Sequence, residues 1–137
     1  MGTLALACLA PETASAQWDI LRPMIDEGFA VGGELMPDDM LDRIADGKVL
    51  VWVAVDDETA KVHAAMTTEL VPMRIGLVCW MGQCAGDRMR EWRDFHTKIE
   101  DYARGEGCVK TILKGRFGWE RALEGYRVRT VTLEKVL

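Results

Sequence analysis

Val78-Cys79-Trp80-Met81-Gly82-Gln83-Cys84-Ala85-Gly86-Asp87-Arg88 joins an apolar strand to an amphipathic helix through a loop bounded by two glycines. Such a junction gathers free backbone N–H groups and the positive end of a helix dipole, which suits a phosphate-bearing ligand. Many α/β proteins place a glycine at this kind of turn. The weight of the segment therefore comes from the order of elements around it.

Upstream of it, Thr3–Leu9 reads as a short apolar strand. Pro11 and Glu12 suit the first turn of a helix, and Trp18, Leu21, Ile25 and Phe29 recur at helical spacing. Pro23 inside that pattern predicts a bend or a split. A second short helix opens at Pro37-Asp38-Asp39 and stops at Gly47. Three strands follow, at Val49–Val55, Val62–Val71 and Arg74–Met81, with Pro72 breaking the second. Val49–Val55 is apolar on both faces, which predicts a central strand, and the short connections predict an antiparallel meander.

Downstream, the spacing predicts one long helix from about Asp87 to Arg104, a strand over Val109–Leu113, a short helix over Trp119–Leu123 and a last strand over Arg127–Leu133. The order is β-α-α-β-β-β-α-β-α-β. A crossover helix between Met81 and Val109 makes those two strands parallel in an otherwise antiparallel sheet.

Composition and length predict one soluble globular domain spanning residues 1–137, with 49% hydrophobic and 28% charged residues. A net charge of -5 argues against nucleic acid as a main partner. The charge is uneven. Residues 1–60 carry twelve acids and three bases, whereas residues 108–137 carry seven bases and three acids. A basic end suits an anionic ligand and an acidic half suits a cationic acceptor, although solvated faces that merely differ give the same pattern. Cys8, Cys79, Cys84 and Cys108 have no metal-ligand spacing, so no metal site is expected and reduced thiols in a cytoplasmic protein are. Leu4–Ala10 lacks the preceding basic residue of a signal peptide, and no apolar run is long enough to span a membrane.

The element order resembles the GNAT superfamily, the Gcn5-related N-acetyltransferases. Gly115-Arg116-Phe117-Gly118-Trp119, followed by Ala122-Leu123-Glu124-Gly125-Tyr126, resembles most closely the GNAT-like proteins of tailed bacteriophages and prophages. The resemblance covers nearly the whole chain. It implies an α+β fold with a mixed sheet of six or seven strands, about four helices, and a splayed parallel pair formed by the fourth and fifth strands.

It also implies acetyl-CoA as cosubstrate, with the pantetheine arm along Cys79, Trp80 and Met81. The pyrophosphate is then expected on the amides of Gly82, Gln83, Cys84, Ala85, Gly86, Asp87 and Arg88. The chain departs from the family loop at its end, where Asp87 and Arg88 stand in place of small neutral residues. Asp87 also suits a helix N-cap. Many members carry a tyrosine general acid four residues before a Gly-Phe pair. Here Gly125-Tyr126 takes the place of that pair, which puts Arg121 in the tyrosine's slot. An arginine stays charged, so it steadies a thiolate rather than protonating it.

Glu69 is the candidate base for the acceptor amine, with His63 as a possible relay. Two functions follow. One is an acyl-CoA-dependent N-acyltransferase acting on an unknown amine, catalysed mainly by positioning. The other is a degenerate GNAT-like module that binds virion proteins or a second copy, placed in the host cytoplasm or the virion.

Overall fold

The computed structural model describes residues 2–82, 84–115 and 118–137. Its six strands form one sheet in the order β1-β2-β3-β4-β6: β1 (Leu4–Leu9), β2 (Val49–Asp56), β3 (Val62–Met73), β4 (Gly76–Met81) and β6 (Lys110–Leu113), with the two-residue β5 (Ala85–Gly86) also on β3. Pairings among the first four are antiparallel and β4 pairs parallel with β6. The α+β sheet with a parallel fourth and crossover strand is thus as the sequence reading expects.

β2 shows why it reads as apolar throughout. Val49, Val51 and Val53 pack with Ala14, Leu21, Ile25, Met40 and Ile44 from the helices α1 (Pro11–Ala16), α2 (Trp18–Val31) and α3 (Met40–Ala45). Trp52 faces the other way, onto Ile99 and Ala103 of α5 (His96–Gly105). Alternate residues therefore feed two cores on opposite faces of one sheet, which leaves no polar face.

Four expectations are corrected. The first helix divides at Gln17 and not at Pro23, which stays inside α2. Proline there loses one hydrogen bond near the start of the helix, a cost the buried Leu21 and Ile25 offset. Pro72 stays within β3, paired with Leu77 beyond the last residue that β2 covers, where a free edge tolerates proline.

The single helix over 87–104 is instead α4 (Met89–Trp92), a 3-10 turn over Arg93–Phe95, and α5. The tighter turn lets Trp92 and Phe95 face Leu4, Ala54 and Ala64 while Ile99 and Ala103 face Trp52. The fourth correction concerns the end of the chain. Residues 127–137 form no strand, and Leu133 and Leu137 are 90% and 107% exposed. The segment is rich in valine and threonine, but no neighbouring strand is beside it among the described residues, and a strand without a partner gains no ladder bonds.

Because this tail buries little, a chain ending at Thr130 is expected to melt within about 2 °C of the full chain, as surface changes do. A larger fall in a thermal unfolding scan would show that the tail packs on the domain. No helix of the described residues is long and apolar enough to cross a membrane.

Candidate active site

The glycine-bounded loop runs alongside β3. Met81 is the last residue of β4 paired with β3, opposite Thr68. The Gly82 amide then donates to the Thr67 carbonyl at 2.7 Å, Ala85 and Gly86 pair with Ala65 and Ala64, and the Asp87 amide donates to the His63 carbonyl at 2.9 Å. Several amides of the expected phosphate cradle are thus engaged by the sheet.

Gly86 has φ +146°, and a Cβ there would lie 2.0 Å from the His63 carbonyl oxygen. The glycine is required by its approach to β3. Gly82 is crowded more mildly, with the Thr67 hydroxyl 2.6 Å from an added Cβ. Gln83 lies outside the described residues, as do Arg116 and Phe117 of the late motif.

Asp87 does not cap α4. Its carboxylate lies 2.7 Å from His63 Nδ1, and that hydrogen bond holds it below the usual carboxylate range. Arg88, in the left-handed region at φ 59°, donates to the Asp56 carboxylate at 3.0 Å, to the Gly2 carbonyl at 2.9 Å and to Glu91. The guanidinium ties the chain start to the end of β2. Burial pushes the thiols of Cys79 and Cys84 up to about 12, so both stay protonated and poorly nucleophilic at neutral pH.

The backbone of Cys79, Trp80 and Met81 is flanked on both sides, by β3 and by β6, with Met81 opposite Leu113 as the last parallel pair. Past it the two chains part, since β5 stays on β3 while no ladder continues from Leu113 among the described residues. Gly82 is the first residue beyond the doubly paired region.

Two cavities meet there. On the α5 face an apolar slot of about 50 Å³ is lined by Trp52, Met66, Trp92, Phe95, Ile99 and Trp119. On the α2/α3 face a cleft of about 310 Å³ is lined by Phe29, Met40, Arg43, Glu69, Trp80 and Lys114. Met81 and Gly82 line both. Glu69 is half-buried on β3, opposite Trp80 of β4, and carries an ion pair with Arg43 of α3. Lys114 pairs with Glu34, both lining the cleft, and lies 5.9 Å from the centre of the Trp80 ring.

Arg121 is exposed on α6 (Trp119–Ala122) and lines neither cavity. Tyr126 also lines neither cavity, but it reaches β4 at Met81, which lines both. Its hydroxyl shares a 2.6 Å hydrogen bond with Thr111 and lies 3.7 Å from Met81 Sδ, and its ring stands edge-on to His96. Burial raises the phenol to about 12, so it is protonated at neutral pH. Sequence reasoning passed over it because tyrosine there takes the place of a structural phenylalanine. The added hydroxyl was the available signal.

The meander, the crossover to a parallel strand and the divergence after Met81 define the fold of the GCN5-related N-acetyltransferases. No protein-family model matches the sequence, and no curated protein does. Among solved structures, the chain is similar to an aminoglycoside acetyltransferase from an uncultured soil metagenomic sample in complex with sisomicin. That match has TM-score 0.73 and 13% identity, over 98% of this chain and 96% of that one. A GCN5-related N-acetyltransferase from Ralstonia eutropha has TM-score 0.70 and 13% identity, over 97% and 98% of the two chains. A predicted acetyltransferase with acetyl-CoA from Clostridium acetobutylicum has TM-score 0.64 and 12% identity, over 98% and 96%.

Proposed function

We propose that the protein is an N-acyltransferase that moves an acetyl group from acetyl-CoA to an amine. One observation carries this reading: two cavities on opposite faces of the sheet share Met81 and Gly82 as a common wall. Donor and acceptor entering from opposite sides would meet there, where β4 and β6 part. The acyl donor is taken by analogy with the acetyl-CoA present in the Clostridium structure.

In this reading Glu69 takes a proton from the acceptor amine, directly or through water. The amine nitrogen bonds to the acyl carbon, the C–S bond breaks, and the thiolate takes the phenolic proton of Tyr126. Tyr126 thereby takes the general-acid role that the resemblance leaves unfilled with Arg121 in the tyrosine's slot, since it is protonated and touches Met81. Tyr126→Phe is expected to lower kcat about 10²-fold with little change in KM for the amine. An unchanged kcat would remove the residue from the mechanism.

The donor is tested by titrating acetyl-CoA calorimetrically and following thermal unfolding. Binding at 100 times its Kd is expected to stabilise the protein by about 2.7 kcal/mol. Absence of both heat and stabilisation at millimolar acetyl-CoA would overturn the enzyme reading. A second reading, a GNAT-fold module that binds without catalysis, is favoured by the amides of the loop being engaged on β3 and by the narrowness of the slot. A phage-encoded or virion-associated module is the form of it that the sequence resemblance supports.

A further inference from the structure

Residues 1–60 contain three basic side chains against twelve acids, and of the three only Arg43 lines the cleft. Lys114 supplies a second cation to the lining. Each is matched by a carboxylate, Arg43 by Glu69 and Lys114 by Glu34, so the cleft is charge-balanced within an acid-rich half of the chain. Phe29, Met40, Val71 and Trp80 supply apolar surface between them.

This balance discriminates among amines. A polycation that takes Glu69 and Glu34 displaces both Arg43 and Lys114 and leaves two cations without partners beside it. A monoamine without an anion must displace Arg43 from Glu69 and leave that guanidinium without a partner in a partly dry cleft. An amine that also carries an anion exchanges partners instead. Its ammonium takes Glu69 while its anion takes Arg43, whose planar fork suits carboxylate or phosphate oxygens. The number of ion pairs is conserved, and the Glu69 oxygens are released from Arg43 to accept the proton.

We propose that the acceptor is a small zwitterionic amine with an apolar body, and that its anion draws Arg43 off Glu69. The proposal rests on the acyltransferase reading for its chemistry, but the binding preference is testable without it. The probes are phenylalanine, phenethylamine with the same body and no carboxylate, 2-aminoethyl phosphate as a phosphate-bearing amine, and spermidine as a polycation. Binding is followed by chemical-shift changes on the full chain without donor, and acetylation by thiol release with acetyl-CoA.

Phenylalanine is expected to bind about tenfold tighter than phenethylamine, the scale of one charge-assisted pair. Spermidine is expected to bind more weakly still. 2-Aminoethyl phosphate binding tighter than phenylalanine would assign the anion to phosphate, keeping the exchange at Arg43 and overturning the apolar body. In Arg43→Ala the ratio of phenylalanine to phenethylamine affinity falls to about one, and Arg43→Lys restores part of it. Stronger binding of spermidine or phenethylamine than of both zwitterions, or a ratio that survives Arg43→Ala in a folded protein, would overturn it. So would an absence of binding by either zwitterion. If the zwitterions bind with this Arg43 dependence and no amine is acetylated, the acyltransferase reading fails and the binding preference stands.

Discussion

Alanine in place of Gly86 is expected to lower the melting temperature by roughly 10 °C, although it adds only one methyl group. The added carbon would stand 2.0 Å from the His63 carbonyl oxygen and 2.6 Å from the Ala64 Cα, both backbone atoms that no rotamer change can move. The residue also sits at φ +146°, which L side chains rarely adopt. Relief requires β5 to leave β3, which breaks the Ala64–Gly86 and Ala65–Ala85 pairings and shifts the Asp87 amide off His63. The two effects together are worth about 3 kcal/mol or more.

Gly82→Ala makes the internal comparison. Its nearest obstacle is the Thr67 hydroxyl, a side-chain atom that can rotate away, with backbone at 3.3 Å. Its loss of stability is expected to be clearly smaller. A Gly86→Ala protein that melts within about 2 °C of the parent would show that β5 is not held against β3. The prediction also governs how binding experiments are read. A charged replacement such as Gly86→Glu would lose ligand because the loop leaves the sheet, whatever the glycine does for a phosphate.

The contrast between β2 and this loop shows what a sequence can and cannot reveal here. The two cores meet at alternate residues of Val49–Asp56, so the apolar run itself announces a strand covered on both faces. The parallel pairing of β4 with β6 follows from a crossover helix between them, which local periodicity also shows. The loop is different. Whether Gly86 faces a ligand or another strand depends on Ala64, more than twenty positions away, and a glycine carries no pattern that says which. Arg88 is alike in this respect, since its partner Asp56 lies 32 positions away and its guanidinium suits a carboxylate as well as a phosphate. Glu69 was legible as a cleft carboxylate, but its engagement by Arg43 of a separate helix was not. The final strand failed for the opposite reason: its β-branched composition is local, and no neighbour covers it.

Asp56→Ala is expected to be at least as damaging as Gly86→Ala, lowering the melting temperature by roughly 10 °C or more at neutral pH. The Asp56 carboxylate is almost fully buried at the end of β2 and accepts from the amides of Gly2, Glu58 and Thr59 as well as from Arg88. Removing it orphans these donors together, at the point where the chain start, the β2–β3 turn and α4 are tied to one another. The same donors, the Thr59 amide foremost and against the opposing effect of burial, hold its carboxyl far below the usual carboxylate range. Because the folded value lies below the unfolded one of about 4, its contribution is fully present above that pH. It is lost progressively as pH falls further toward the folded value.

Asp87 and Glu91 are shifted in the same direction by His63 and Arg88, so all three give the parent protein an acid limb below about pH 4. Asp56→Asn keeps one acceptor oxygen but no charge, and it takes up no proton on unfolding. Its stability is therefore expected to be lower than the parent's at pH 7 and to converge on it between about pH 4 and pH 2, as measured by urea unfolding across that range. Parallel curves for the two proteins would show that Asp56 is not the group whose protonation drives the acid loss, and that its bonds to the turn amides act independently of its charge.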